Sequence, residues 1–398
     1  MSLLHTMNFY TKTIINSKKK FIDNWLLISL SLILLNASYH FYKSSLYVRG
    51  LFLDYYVPKI YFNQLIFLII ILLFFSSLKT NKYILYVLVF ILFNYFFSFK
   101  KQAFLIVISY KLIPLLYFFI LNSNIYLLLK KNYYKKLIFV NIFLLIVFFL
   151  QFIFKESFFP YFPFGFYYYK GVSYNLDFIS IHGSKYPIPL GMFPHPNVFA
   201  AYISFLNIFF VRKNKILFFI NILLVVLLGS LSAIFFNILI FKLYTKKNNT
   251  FYLLIMFLFF YISFLLSYKS TSLTQRVLQY KSFVYLFLEK PFFGWGLGNY
   301  LLSIPFYEKI IGRVVKIQPI HNIFLLYLVE FGLFGLSLFF VFLYKLKYYL
   351  KITPFLIFIL IFGLSDHFLY TLNQGFILLL LAFICHKLTI RNNKLCLN

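Results

Sequence analysis

Long runs of apolar residues, separated by short polar segments, make up most of the chain. Runs such as LIFLIIILLFF and FLLIVFFL do not alternate between polar and apolar residues, as the strands of a membrane barrel would. About 20 helical residues cross the hydrocarbon core, and a helix satisfies its own backbone hydrogen bonds in lipid. The pattern therefore predicts an all-α polytopic integral membrane protein.

The apolar runs predict about twelve transmembrane helices. Their boundaries are soft by a few residues, and the pair over 215–245 is separated only by a weak break at GSLS. The predicted spans are 24–42, 61–78, 83–99, 102–121, 137–154, 197–211, 215–229, 231–245, 251–268, 322–344, 352–365 and 369–387.

The positions of charged residues predict the orientation, because cytoplasmic loops carry an excess of Lys and Arg. More than half of the 38 Lys and Arg residues fall in short segments on one side, and acidic residues such as Asp54 and Asp366 fall on the other. We therefore expect one transmembrane domain over 1–398, with both termini cytoplasmic and no cleaved signal peptide. Two long loops, 155–196 and 268–321, lie on the outer face.

Composition narrows the functional classes. The chain is 63% hydrophobic and 24% aromatic, and its net charge is +30. The lysines sit between apolar runs rather than on a soluble face, so they act as topology signals and no nucleic-acid partner is expected. Only 8 residues are Asp or Glu, and neither D-x-D nor H-E-x-x-H occurs, so we expect no metal and no cofactor.

The first outer loop ends in GMFPHPNVFAAYISF, residues 191–205. Pro194 and Pro196 favour an extended chain around His195. Asn197 is expected to be the N-cap of the following helix. Two interpretations remain open: a rigid helix entry with an interfacial histidine, or a fixed loop that faces an outer cavity.

The second outer loop contains RVLQYKSFVYLFLEKPFFGWGLGNYL, residues 276–301. Arg276, Tyr280, Phe283 and Phe287 are spaced to share one side of a helix, which is typical of a helix lying at the membrane interface. The Arg276 guanidinium could reach a phosphate at headgroup level, or it could only anchor the helix.

Glycines follow this predicted helix in the segment GWGLGN, where Gly296 and Gly298 permit tight turns and close backbone approach. No strand precedes the segment, which excludes a dinucleotide-binding fold. Arg313, later in the same loop, is a second candidate for binding a phosphate.

A third motif begins at His321 and Asn322, where a predicted span meets the membrane surface. Asn322 can cap the helix, and the positive field of the helix terminus favours a neutral imidazole at His321, as a general base requires. Glu330 lies inside the span and is expected to be a hydrogen-bonded structural carboxylate. Gly332 and Gly335 are expected to let a neighbouring helix pack closely.

Arginines, histidines and aromatic residues thus dominate the polar chemistry of the outer face. Arginine pairs with diphosphate, and histidine can accept a proton from a hydroxyl. This combination fits a lipid-linked diphosphate substrate that is attacked by an alcohol.

The order of the three motifs resembles the O-antigen ligase and polymerase family of bacterial membrane glycosyltransferases. The motifs are G-x-F-x-H-P-N at 191–197, R…P-x-x-G-x-G-x-G-N at 276–299, and H-N-x-x-L-x-x-x-x-E-x-G-L-x-G-L at 321–336. The resemblance extends over roughly 140–345.

The resemblance implies a GT-C-like enzyme of the inner membrane whose active site is on the periplasmic face. It implies an undecaprenyl-diphosphate-linked glycan as donor and a glycan or the lipid A core as acceptor, with no metal or cofactor. Membrane lipids and a chain-length regulator would be further partners. The residues it assigns to catalysis are His321, Arg276 and Arg313. The candidate substrate-binding residues are His195, Asn197, Lys185, Gly296, Gly298, Asn322 and Glu330.

Two alternatives accompany this interpretation. We expect a polymerase rather than a ligase, although both share the motifs. A transporter or flippase of lipid-linked glycan would instead show internal repeats, interrupted helices and polar residues at the midplane. The sequence shows no repeat, and only Lys111 and Glu330 fall clearly inside spans.

Overall fold

Helices make up most of the computed structural model. It describes residues 21, 24–36, 38–41, 46–48, 51–52, 56–74, 83–123, 134–154, 178–181, 184–187, 190–244, 272–311, 317–345 and 352–392. The helices are α1 (Asn24–Leu34), α2 (Phe62–Leu73), α3 (Tyr83–Phe97), α4 (Lys101–Ser123), α5 (Tyr134–Phe154), α6 (Pro196–Phe210), α7 (Lys215–Leu227), α8 (Leu231–Tyr244), α9 (Ser272–Glu289), α10 (Tyr300–Ile311), α11 (Ile323–Lys345), α12 (Pro354–Ser365), α13 (Phe368–Thr371) and α14 (Asn373–Asn392).

Three of these helices are long and apolar enough to cross a membrane: α4, α5 and the part of α14 over Asn373–Ile390. Shorter apolar helices include α1, α2, α6, α7, α8 and α12. This composition agrees with a helical membrane protein. Helices α7 and α8 are separated at the GSLS break, where Gly229 has φ +67°. The predicted span over 251–268 lies outside the described residues.

Short strands are a feature that the hydrophobic pattern did not predict. The expected span over 24–42 ends as a helix at Leu34, and the chain continues in β1 (Ser38–His40), which pairs antiparallel with β4 (Lys59–Tyr61). Polar residues in SYH make a continued apolar helix unfavourable in this segment. Two further antiparallel pairs join β2 (Tyr47–Val48) with β3 (Leu51–Phe52), and β5 (Phe178–Ile181) with β6 (Ser184–Pro187).

Helix α6 lies at the centre of the largest cluster of buried residues, in contact with α5, α7, α8, α12 and α14. Almost every side chain of this helix is buried. Small residues such as Ala200, Ala201 and Ser204 allow its neighbours to approach closely. The start of α6 carries the H-P-N motif, so this packing fixes the motif relative to the last helices of the chain.

A ladder of buried amide side chains crosses this cluster. Asn221 donates to Asn141 Oδ1 at 2.9 Å and to Asn207 Oδ1 at 2.7 Å. Asn207 then donates to Asn237 Oδ1 at 2.8 Å, and Asn237 donates to Ser204 Oγ at 2.8 Å. Polar side chains within apolar helix surfaces need such partners. The ladder therefore fixes the rotation of α5, α6, α7 and α8 about their own axes.

We predict that replacing Asn221 with Leu lowers the free energy of unfolding by about 1–3 kcal/mol, because its partners are left unpaired. Chemical denaturation of the purified protein in detergent measures this change. The double variant Asn141→Leu/Asn221→Leu should cost less than the sum of the two single variants, since each removes the other's partner. Strictly additive losses would show that the ladder is not a coupled network.

Candidate active site

A buried carboxylate brings three segments together at the end of α12. Asp366 is 5% exposed, and its Oδ2 accepts a hydrogen bond from Asn197 Nδ2 at 2.8 Å. Its Oδ1 accepts from the backbone N–H of His367 at 2.7 Å and lies 3.3 Å from His321 Nδ1. The start of α6, the start of α11 and the turn after α12 therefore meet at Asp366.

His321 lies directly before the residue that caps α11. Asn322 Oδ1 accepts hydrogen bonds from the backbone N–H groups of Phe324 and Leu325 at 2.9 and 3.1 Å, which confirms the predicted helix cap. The His321 side chain is 19% exposed, while its Nδ1 is buried against Asp366. Nδ1 is 3.3 Å from Asp366 Oδ1, and the contact does not meet the geometry of a hydrogen bond.

His367 lies beside this pair. Its Nδ1 is 2.7 Å from Thr371 Oγ1, and its ring centroid is 5.1 Å from that of His321. Burial lowers the pKa of His367 to about 4, against the opposing effect of the Asp366 charge. The ring is therefore neutral at pH 7.

The Asp366 carboxylate is ionised under the same conditions. Burial alone would raise its pKa, but contact with His321 and the positive charges that the nearby histidines acquire at low pH hold the pKa below its usual range. A carboxylate facing Nδ1 favours the tautomer in which Nδ1 carries the proton. Nε2 of His321 is then free to accept a proton.

The expected N-cap at Asn197 was wrong. The N-cap of α6 is His195, whose Nδ1 accepts from the backbone N–H of Asn197 at 3.1 Å. Pro196 occupies the first helical position, where its fixed φ favours the helix and its missing N–H costs nothing, so the cap lies two residues earlier than expected. This shift leaves the Asn197 side chain free to reach Asp366, while His195 is exposed.

The predicted glycine turns occur in the segment between α9 and α10. Gly294, Gly296 and Gly298 have φ of +68°, +93° and +75°. A Cβ atom on Gly296 would collide with Ser98, and one on Gly298 with Val107. Glycine is thus required both for the backbone conformation and for close approach to the segment that leads into α4.

Residues 291–298 between α9 and α10, called the glycine segment below, pair with α11 where that helix is interrupted. Gly332 has φ +63° and ψ −163°, which interrupts the helical hydrogen bonds. The carbonyls of Val329 and Glu330 instead accept from Trp295 and Gly296 at 2.9 and 2.8 Å. On the other side of the break, backbone N–H groups at 333 and 334 donate to carbonyls at 291 and 292.

The expectation that Gly332 serves helix–helix packing was therefore wrong, because its neighbour is the glycine segment: a Cβ there would meet the backbone of Phe292. The rival transporter interpretation expected interrupted helices, and α11 is one. The backbone groups that the break leaves without helical partners form hydrogen bonds with the glycine segment between α9 and α10.

Glu330 fastens the same segment through its side chain. Its Oε1 accepts from the Gly298 N–H at 2.9 Å, and its Oε2 accepts from Tyr370 Oη at 2.7 Å. The expectation of a hydrogen-bonded structural carboxylate is thereby confirmed. The Lys111 ammonium lies 3.3 Å from the centre of the Tyr370 ring, and both residues line a cavity of about 30 Å³ with Glu330.

Helix α9 forms as expected, and the side that it buries against the protein is not the aromatic one, whose contact with the membrane stays a prediction. Tyr280 is 39% exposed, whereas Gln279, Ser282 and Leu286 are buried. Arg276 is half-buried one turn before Gln279, and Gln279 Oε1 accepts from the His321 N–H at 3.4 Å. The structure therefore brings the arginine-bearing helix to the start of α11.

The side chains of two further predicted residues lie outside the description. Arg313 lies outside the described residues. Lys185 is paired in register with Ser180 in the β5–β6 hairpin, and its side chain is outside the description. The catalytic role of Arg313 and the substrate-binding roles of Lys185, His195, Asn322 and Glu330 stay predictions.

Sequence reasoning missed Asp366 and His367. The signal available was S-D-H at 365–367, in which an acidic residue and a histidine stand together between the last two predicted spans. Asp366 was used there only to assign the orientation.

The cluster also has donor atoms of the kind that bind metals. One atom each from His321, Asp366 and His367 lies within 4.8 Å of the others. Both Asp366 oxygens already accept hydrogen bonds from the protein, so a metal ion would have to replace them. The arrangement as it stands is better suited to orienting a histidine than to coordination.

Residues 197–340 match the sequence model of the family described as O-antigen ligase. The match supports the assignment of the chain to the O-antigen ligase and polymerase family that its motifs resemble. The match contains Asn197, Arg276 and His321, and it ends before Asp366, which the structure nevertheless places beside His321. Comparison with curated proteins and with solved structures gave no match.

The close approach of the glycine segment to its neighbours can be tested by substituting Gly296, with Gly229 as a matched control. Gly296→Ala should destabilise the protein strongly and reduce activity, because the added Cβ collides with Ser98. Gly229 also has positive φ, but nothing lies within 4 Å of an added Cβ. Gly229→Ala should therefore cost only the backbone strain, about 1–2 kcal/mol. Equal losses in thermal unfolding for the two variants would contradict the proposed close approach.

Proposed function

We propose that the protein is a glycosyltransferase that transfers a glycan from undecaprenyl diphosphate to a hydroxyl of an acceptor glycan. The observation that carries the proposal is the pairing of His321 with the buried Asp366 at a helix end, beside the arginine-bearing α9. The family match supports the same reaction class. A polyprenyl tail in the lipid would keep the diphosphate near headgroup level, at the height of this helix end.

The reaction follows from the roles of these groups. His321 Nε2 accepts the proton of the acceptor hydroxyl as its oxygen attacks the anomeric carbon of the donor. The bond from that carbon to the phosphate oxygen breaks, and undecaprenyl diphosphate leaves with the bonding electrons. Asp366 orients the imidazole and stabilises the imidazolium that forms. Arg276 and Arg313 neutralise the diphosphate.

A direct displacement is favoured over a covalent glycosyl-enzyme. Among the described residues Asp366 is the carboxylate nearest to the base, and both of its oxygens are occupied by hydrogen bonds in a buried position. It is therefore poorly placed to act as a nucleophile. A single displacement inverts the configuration at the anomeric carbon.

We predict that His321→Ala lowers the transfer rate about 100- to 10,000-fold without loss of the protein, since it removes the general base. Asp366→Asn should also lower kcat strongly, because the amide favours the wrong imidazole tautomer. His195→Ala should be milder. The assay is transfer from purified lipid-linked donor by protein of confirmed folding.

The same transfer assay distinguishes catalysis by a histidine base from catalysis that depends on a metal ion. Incubation with EDTA should leave the wild-type rate unchanged if His321 acts as a base. Loss of activity with EDTA and its return with a divalent cation would contradict the metal-independent mechanism. A His321→Ala rate within about threefold of wild type would leave the histidine with only a structural role.

The acceptor is proposed to be another glycan rather than the lipid A core, which makes the protein a polymerase. A deletion strain should then lose its ladder of long surface glycans and display a single repeat on its lipid A core. Gel analysis of surface glycans measures this. A bare core with accumulated lipid-linked polymer would instead identify a ligase.

We further propose that both termini are cytoplasmic and that the site faces the periplasm, as the basic residues indicate. In a cysteine-free background, Lys309→Cys should react with a membrane-impermeant thiol reagent in spheroplasts. Ile352→Cys, which is 75% exposed near the opposite end of the neighbouring spans, should react only after lysis. The reverse labelling pattern would refute the orientation.

A further inference from the structure

We infer that Gln279 is a second group that binds the phosphate oxygens of the donor, acting together with Arg276 on the same turn of α9. This inference rests on the proposed function and adds a residue that the motifs do not contain. It begins from polar atoms that are buried without partners.

Gln279 has a defined orientation. Its side chain is 2% exposed, and its Oε1 accepts from the His321 backbone N–H at 3.4 Å. Reversing the amide would set two donors against each other, so the Nε2 group must be the end directed away from His321 N. That Nε2 is buried and has no hydrogen-bond acceptor within the described part of the chain.

A second unpaired donor lies one turn earlier. Arg276 Nε is also buried without an acceptor in the described segments. Residues three apart on a helix are neighbours on its surface, so the two N–H groups belong to the same patch. Native proteins rarely leave buried donors unpaired, and such groups need an explanation. A bound acceptor oxygen supplies one.

The charge identifies the class of this acceptor. A guanidinium beside a neutral amide donor favours an anionic oxygen, and phosphate oxygens accept several charge-assisted hydrogen bonds at once. Gln275 Oε1 is a buried acceptor that has no donor in the described part of the chain. It could accept a hydrogen bond from a sugar hydroxyl next to the phosphate. The patch therefore fits the junction between the diphosphate and the first sugar.

The hydrogen bond between Gln279 and the His321 backbone fixes where the junction of diphosphate and sugar would lie. Because Gln279 touches both the proposed phosphate and the backbone of the proposed base, it fixes the distance between the leaving group and the base. Gln279 is thus a binding residue that also sets the register of the donor.

The test is the substitution Gln279→Glu in the full-length protein. The carboxylate keeps an oxygen for the His321 N–H but replaces the donor by an acceptor that repels phosphate. We expect the KM for lipid-linked donor to rise about tenfold or more, with a smaller change in kcat. Gln102→Glu adds the same charge at an exposed position of α4 and should leave both constants within about twofold.

Measuring the binding of undecaprenyl diphosphate that carries no glycan distinguishes a failure of the proposed function from a failure of the role of Gln279. Wild-type protein that fails to bind this lipid would refute the proposed function. Wild-type binding that Arg276→Lys weakens and Gln279→Glu leaves unchanged would refute the inference alone. A fall in kcat at constant KM would also overturn it, since Gln279 would then only support His321. If the Glu variant does not fold, Gln279→Met must show the same weakened binding.

Discussion

The Asp366 carboxylate, which is 5% exposed, must be surrounded by hydrogen-bond donors, and the site depends on where those donors come from. Hydrogen bonds come from Asn197 at the start of α6 and from the backbone N–H of His367, and the His321 ring before α11 lies 3.3 Å from the same carboxylate. Because one carboxylate contacts all three segments, the motifs at Asn197 and His321, which are more than a hundred residues apart in the chain, lie close together. The same contact sets the tautomer of the proposed base.

A second constraint, the need to pair backbone groups within the membrane, shapes the loop on the other side of the base. The break at Gly332 frees carbonyls and N–H groups of α11, and the segment 291–296 pairs with them on both sides. Glu330 adds a side-chain bond to Gly298. Since this segment continues from α9, the break in α11 also anchors the helix that carries Arg276 and Gln279.

The sequence predicted the helical architecture well, because apolar runs and the requirements of lipid leave few alternatives. It also predicted the cap at Asn322 and the glycine turns, which depend on local chemistry. It did not predict the strands after α1, the His195 cap or the break at Gly332. Asp366 could not be recognised as a partner of His321, because their proximity arises only from the packing of α12 beside α6 and α11.

The central claim is that the donor diphosphate lies between α9 and the His321–Asp366 pair on the outer face. An electron cryo-microscopy structure of the protein in lipid, with undecaprenyl-diphosphate-linked glycan bound to the His321→Ala variant, measures this directly. The account predicts phosphate oxygens in contact with Arg276 and the anomeric carbon facing the vacated imidazole position. A diphosphate bound on the cytoplasmic side, or separated from residue 321 by an intervening helix, would contradict it.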